Sequence, residues 1–354
     1  MKRLFFLAFF PITIFAQTKE KDLITYLDST MTARQIPGMS IAVIENKKVH
    51  FRFEKGLANV ELNSKINSNS VYELASLTKP FTALTVLKLA EQNLLDLDSS
   101  IIKYIDDAPK EWKGITIKHL LTQSSGFAEQ IILAHGFSPV MDVTTKDQFD
   151  LIVERPLMFE AGEKGQYSDP GYFLLGMIIE KVTGKAYSQF ISDEVFNPSD
   201  MNKSQIQNKW EIIKNRVNPY TIRQGKLLNG RRDYQHELPS HFGIISTLND
   251  LISFDNMLRQ NKLLSKQYKD IMFTSGKLNS GEDVVVWGEN YGSGWMLGEV
   301  NGERYAQHGG FTGTHLLHFI DRDLTIVVLT NLDVRSKSNP RQIAHYIAEK
   351  YLVK

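Results

Sequence analysis

The sequence contains no cysteine. Disulfide staples, thiol nucleophiles, thiolate metal sites and a thiol-linked lipid are therefore excluded, and stability has to come from a packed core. Net charge is almost lacking as well, with 41 Lys and Arg against 40 Asp and Glu. Such a balance offers no field of one sign to draw in nucleic acid or an anionic membrane surface, so no nucleic-acid partner is expected. Internal repeats and low-complexity tracts are missing. So are G-x-S-x-G, which disfavours an esterase with a nucleophile elbow, and H-E-x-x-H, which disfavours a zinc hydrolase. His315 and His318 lie three apart on an expected strand and would point to opposite faces, so they would not share a metal.

What is there fits a globular chain: 354 residues, 42% hydrophobic and 23% charged, enough for one large domain or two lobes. At the N-terminus Lys2 and Arg3 precede an apolar stretch, Leu4 to Phe15, and then Ala16. This is a secretory signal pattern over residues 1–16, too short to span a bilayer comfortably. A cut after Ala16 leaves 17–354, with no stable membrane span; Ile14, large for its place before the cut, keeps an uncleaved anchor as the alternative. An exported protein, periplasmic or secreted, is expected.

Leu23, Ile24, Leu27 and Met31 share one face of a first helix over 20–34, and residues 39–56 alternate around a polar turn as a hairpin. Helical patterns and long loops dominate from about 77 to 265. Strands return over 292–310 and 313–333, with Asn301-Gly302 as a turn signal, and residues 339–353 close as an amphipathic helix. These elements predict an α+β fold: one antiparallel sheet built from both termini and flanked by the N- and C-terminal helices. Its sheet lobe covers about 20–75 and 266–354, a helical lobe of about 76–265 is inserted, and the cleft between them is the natural active site.

Three stretches carry chemistry. In "ELASLTKPFTALTVLKLAEQ" Pro80 is tolerated only in a first helical turn, which places Ser76 at a helix N-terminus and Lys79 one turn on, over the same face. Backbone N–H groups there favour an oxyanion, and a desolvated lysine can serve as a base. Ser76 as a mere cap is the bland reading. The same spacing recurs at Ser100 and Lys103, but in a polar connection. In "QYSDPGYFLLGMIIEKVTG" Asp169-Pro170 starts a helix that Gly184 stops; Tyr167 just before it could relay protons, or Tyr167 and Asp169 could be only a loop anchor and an N-cap. In "AQHGGFTG" His308, Gly309 and Gly310 end a strand where absent side chains would let a substrate backbone approach, or would merely form a bulge.

Together these stretches resemble the serine β-lactamase and penicillin-binding-protein superfamily, in its class C-like branch of esterases and D-amino-acid-specific peptidases. "SLTK" matches S-x-x-K, "YSD" is similar to Tyr-x-Asn, and "HGG" is similar to the Lys/His-x-Gly strand motif. "HLLTQSSG", "GKAYSQFI", "NPSDMNKS", "STLNDLISF" and "YGSGW" also look familial, and the resemblance spans roughly residues 20–352 in order. It implies a β-lactamase/transpeptidase-like fold, Ser76 as nucleophile, Lys79 as base and Tyr167 sharing acid and base duty. It also implies an oxyanion hole from the backbone N–H groups of Ser76 and Phe311, with Asp169, His308, Gly309 and Gly310 lining the substrate. No metal or organic cofactor is implied, the partner is a small-molecule or peptide substrate, and the oligomeric state is left open.

Two departures qualify this. Asp169 stands where relatives have asparagine, bringing a carboxylate near Lys79, and His308 stands where β-lactamases commonly have a lysine for the substrate carboxylate. The expectation is an acyl-enzyme esterase or peptidase rather than an efficient β-lactamase, with His308 titrating near about 6.5 at the substrate. The alternative is a penicillin-binding or sensor-type protein that acylates, or binds cell-wall fragments, without turnover.

Overall fold

Alternation from Gly38 onward folds into a hairpin of β1 (Gly38–Glu45) and β2 (Lys48–Asn59), closed by Asn46 and Lys47, both at positive φ. Such a two-residue connection matches the right-handed twist of its strands. The computed structural model describes residues 12–129, 143–208, 210–230 and 237–352, with side chains from residue 20. Beyond the hairpin come β3 (Ser64–Lys65), β4 (Val71–Glu73), β5 (Gln205–Ile206), β6 (Tyr220–Arg223), β7 (Lys226–Asn229) and β8 (Ile244–Thr247). Then follow β9 (Val285–Val286), β10 (Glu289–Tyr291), β11 (Met296–Val300), β12 (Glu303–Gly310), β13 (Thr314–Phe319) and β14 (Leu324–Thr330).

The main sheet runs β3-β2-β1-β14-β13-β12-β11-β10-β9, every pair antiparallel. It is assembled from both ends of the chain, as the sequence predicts, and Asn301-Gly302 joins β11 to β12. Helices α1 (Ile12–Arg34), α2 (Thr78–Glu91), α3 (Ile117–Leu121), α4 (Thr145–Val153), α5 (Asp169–Thr183), α6 (Tyr187–Ile191), α7 (Leu248–Arg259), α8 (Lys266–Met272) and α9 (Pro340–Leu352) complete the chain.

Two cores divide along the strand alternation. Ile41, Val43, Ile326 and Val328 pack with Leu23 and Leu27 of α1 and with Ile343 and Ile347 of α9. Tyr26 stacks on Tyr346 with ring centroids 3.7 Å apart, tying those two helices together. Ala42, Ile44, Val327 and Leu329 face the opposite way, into a larger core shared with α2, α5 and α7. Covered on both faces, β1 and β14 are buried almost end to end, which is why neither shows a clean polar face. Helix α7, within the inserted segment, lies on β1 and β14.

A smaller sheet, β4-β8-β5, delivers the chain into the cleft: the Leu74 N–H donates to the Ile244 carbonyl, and a short 3₁₀ turn, Ala75–Leu77, then feeds α2. Most of the expected signal segment, residues 1–11, lies outside the described residues; α1 runs through the expected cut after Ala16. Among the described residues no helix is long and apolar enough to cross a membrane.

Candidate active site

Ser76 sits in the tight turn ahead of α2, directly after Ala75, whose φ of 48° is left-handed. A residue with a Cβ pays about 1–2 kcal/mol there, so the turn is held by its surroundings. Two clamps are visible. Thr314 Oγ1 donates to the Leu74 carbonyl at 3.0 Å and Thr312 Oγ1 donates to the Glu73 carbonyl, fixing the β12–β13 connection onto the turn that carries Ser76. A Cβ on Gly310 would lie 2.0 Å from the Leu74 oxygen, so only glycine lets the strand come this close. The Ser76 hydroxyl caps neither the turn nor α2, against the bland reading.

Helix α2 is buried nearly all round, and Lys79 with it: its side chain has no exposed surface. Nζ is 3.3 Å from Ser76 Oγ, 2.7 Å from Asp169 Oδ1 and 3.0 Å from the His241 carbonyl. A neutral amine has two N–H groups and one lone pair. Asp169 and His241 can only accept, so they take both N–H groups and leave the lone pair for the Ser76 hydroxyl. With a third proton aboard, that same direction carries an N–H instead. Asp169 is free for this contact because Ser168, not Asp169, caps α5: its hydroxyl accepts from the Gly171 N–H at 3.2 Å. The sequence-based choice of Asp169 as a possible cap is thereby corrected by one residue.

Tyr167 is 6% exposed and its phenol lies near the Ser76 side chain. Burial, reinforced by the Asp169 carboxylate, holds the phenol protonated well above its ordinary range. Lys79 Nζ lies 4.7 Å from one ring centroid, Tyr167, and 5.8 Å from another, Tyr172. Behind them the Tyr172 hydroxyl donates to the Leu121 carbonyl at 2.8 Å, and Gln123 Oε1 accepts from the Ser168 N–H at 2.7 Å. Trp287, Tyr172, Tyr291, Gln123 and the His241 carbonyl were given no role from the sequence, although Gln123 and Tyr291 lie inside familial phrases.

His308 differs from its expectation. Its ring is 1% exposed, its Nδ1–H donates to the Gly309 carbonyl at 2.9 Å, and Tyr291 OH is 3.4 Å from Nε2. Burial, then the Lys79 charge, pushes it down to about 3, so it stays neutral and does not titrate near 6.5 at the substrate. The two glycines after it also work otherwise than expected. The place of a Cβ at Gly310 is filled by Leu74, and at Gly309 it faces His315 Nδ1 at 3.0 Å on the far side of the sheet. They seat the strand rather than clear a path for substrate. Phe311 follows at the mouth, 39% exposed, with the Arg335 guanidinium 5.0 Å from its ring centroid.

Ser100 and Lys103 do not pair: the Ser100 hydroxyl donates to the Lys113 carbonyl at 2.7 Å and Lys103 lies over Tyr104. His315 and His318 do point to opposite faces of β13, towards Gln307 and Asp255 respectively. Among the described residues no group of three or more His, Asp or Glu side chains gathers as metal ligands.

A two-lobed fold with Ser, Lys and Tyr converging at a helix start defines the class of β-lactamase and penicillin-binding-protein-like chains. The chain belongs to the beta-lactamase family, whose model matches residues 23–348. It is similar to a penicillin-binding protein of Bacillus subtilis (strain 168), 29% identical over 338 residues, covering 89% of this chain and 72% of that one. Protein flp of Staphylococcus aureus (strain MW2) is 28% identical over 343 residues; the match covers 92% of this chain but only 65% of that longer relative. Among solved structures, the octameric penicillin-binding protein homologue from Pyrococcus abyssi is 28% identical with a TM-score of 0.81, over 94% of this chain and 77% of that one. EstCE1, described as a hydrolase with promiscuous acyltransferase activity, shares the fold at 18% identity and a TM-score of 0.80, over 96% of this chain and all of its own.

Proposed function

We propose that this chain is an exported serine hydrolase that works through an acyl-enzyme on Ser76 and cleaves esters or amides, D-amino-acid peptides included, better than β-lactams. One observation carries the reading: Lys79 Nζ, on a side chain with no exposed surface, stands 3.3 Å from Ser76 Oγ with its other two hydrogen-bonding directions already occupied.

Ser76 Oγ attacks the acyl carbonyl while its proton passes to Lys79. The backbone N–H groups of Ser76 and Phe311 receive the oxyanion. Collapse breaks the bond to the leaving group, which departs with a proton delivered through the Tyr167 phenol and resupplied by Lys79. Water then attacks the acyl-enzyme by the reverse route and frees the acid. The buried, neutral His308 supplies no cation for the carboxylate of a β-lactam, and this favours neutral esters and amides.

Export rests on Lys2, Arg3, the apolar stretch to Phe15 and the absence of cysteine. N-terminal sequencing of the protein recovered outside the cytoplasm tests it. The 2.7 Å contact between Lys79 and Asp169 favours a second reading, a protein acylated without turnover, because it engages Nζ more closely than the 3.3 Å contact to the Ser76 hydroxyl does. Steady turnover of p-nitrophenyl acetate, absent in Ser76→Ala, supports the hydrolase. A burst of one equivalent followed by a stable mass adduct supports the acylated binder.

A further inference from the structure

Trp287 stands at the tip of the β9–β10 hairpin with φ of 51°, followed by Gly288 at 85°. Asn or Gly would sit there without strain; a large aromatic residue does not. The indole stacks on Tyr167, centroids 4.4 Å apart and planes 22° from parallel, yet Trp287 remains 63% exposed. Tyr167 is thus held between Lys79 on one side and Trp287 on another, and much of the indole stays exposed. The hairpin is itself pinned. A Cβ on Gly165 would lie 2.3 Å from the Val285 carbonyl, and Asn279 donates to the Gly162 and Ala161 carbonyls at 2.8 and 2.9 Å. The loop that carries Tyr167 and the hairpin that carries Trp287 therefore form one surface.

We infer that Trp287 is a specificity-determining shelf for the leaving group, selecting esters and amides whose leaving group bears an aromatic or other flat apolar moiety. The inference rests on the acyl-enzyme reading above. The atom that leaves must come within hydrogen-bond reach of the Tyr167 hydroxyl, so the group attached to it extends past that ring and over the indole. The acyl side lies elsewhere, beside the Ser76 and Phe311 N–H groups. A flat apolar group laid on the indole removes the exposed face from water and stacks as Tyr167 does from the other side.

The test compares 2-phenylethyl acetate with ethyl acetate, which have leaving alcohols of similar basicity and form the same acetyl-enzyme, so their kcat/KM ratio reports the leaving-group side alone. The parent is expected to favour the phenyl ester by about tenfold or more. In Trp287→Gly, which relieves the positive φ, the preference should shrink to within about twofold, while Trp287→Phe keeps most of it. The ratio of ethyl butyrate to ethyl acetate, which varies the acyl side, should be the same in parent and Trp287→Gly. A parent ratio near one, or a ratio unmoved in Trp287→Gly, overturns the shelf while leaving the hydrolase standing. An equal fall in the butyrate ratio overturns its assignment to the leaving group. No turnover of either ester and no fluorophosphonate adduct on Ser76 in the parent overturns the hydrolase reading itself.

Discussion

Two buried charge clusters lie in this fold, one at Lys79 and one at Asp255, built from similar parts and left in opposite states. Asp255, 1% exposed on α7, accepts from His318 Nδ1 at 2.7 Å, Thr325 Oγ1 at 2.8 Å and Arg259 Nε at 3.0 Å. Arg259 goes on to the carbonyls of Phe319, Arg322 and Leu324, stitching α7 to the sheet. Every partner there is a group that stays where it is. Both clusters include a hydroxyl, but that of Thr325 meets a carboxylate whereas that of Ser76 meets an amine, and Asp169 beside it is 25% exposed. A closed cluster holds elements together; one with a direction left toward a serine hydroxyl has the arrangement the proposed hydrolase needs.

The comparison breaks most sharply by exchanging losses. Ser76→Ala should reduce ester turnover to background, and Lys79→Ala should cost ~10²–10⁴-fold, with the melting temperature near the parent's for Ser76→Ala because no cap is lost. Asp255→Ala should instead cost about 3–5 kcal/mol of stability, since it strands Arg259 without its buried carboxylate. Denaturant unfolding together with kcat/KM on the folded fraction separates the two. A folded, inactive Asp255→Ala or an active Ser76→Ala would erase the distinction.

Next in size is Tyr167→Phe, expected to lose ~10²-fold in kcat/KM with a leaving group of high basicity and much less with p-nitrophenol, which needs no proton to depart. Equal losses on both would reduce Tyr167 to an anchor.

Smaller effects attach to the histidines. Burial holds His308 down to about 3 and, with the Arg259 charge and against the pull of Asp255, His318 down to about 4. Both are neutral in the fold and protonate near about 6.5 when unfolded, so their stabilising effect is complete above that pH and is lost as pH falls toward 4 and then 3. Unfolding free energy should decline across this window, and His308→Asn should flatten part of the decline. The kcat/KM ratio of an acidic ester to its neutral analogue should meanwhile show no step near pH 6.5; a step there would restore His308 to the substrate.

Much of this was legible in the sequence. Pro80 located the helix start and hence Ser76 and Lys79, and the 2- and 3.6-residue patterns at both ends placed the sheet and its flanking helices. Partners defined by backbone were invisible: the His241 carbonyl has no residue-type signature, and Trp287 acts through a hairpin tip 120 positions from Tyr167. Burial misled too. A histidine in a strand motif reads as a titrating ligand until its neighbours Tyr291 and Tyr167 are seen to enclose it. Helix α7 lies in the inserted segment by sequence position, yet Asp255 and Arg259 bind it to the sheet.

The central claim is that Lys79 activates Ser76 while held by Asp169, and the pH dependence of Ser76 phosphonylation by a fluorophosphonate, followed by intact mass, tests it most directly. Asp169→Asn keeps a hydrogen-bonding side chain in place but removes the 2.7 Å ion pair that holds Nζ. The profile of labelling rate against pH should therefore differ from the parent's, and Lys79→Ala should slow labelling ~10²–10⁴-fold across it. The same profile in parent and variant, or an adduct on any residue other than Ser76, would contradict the account.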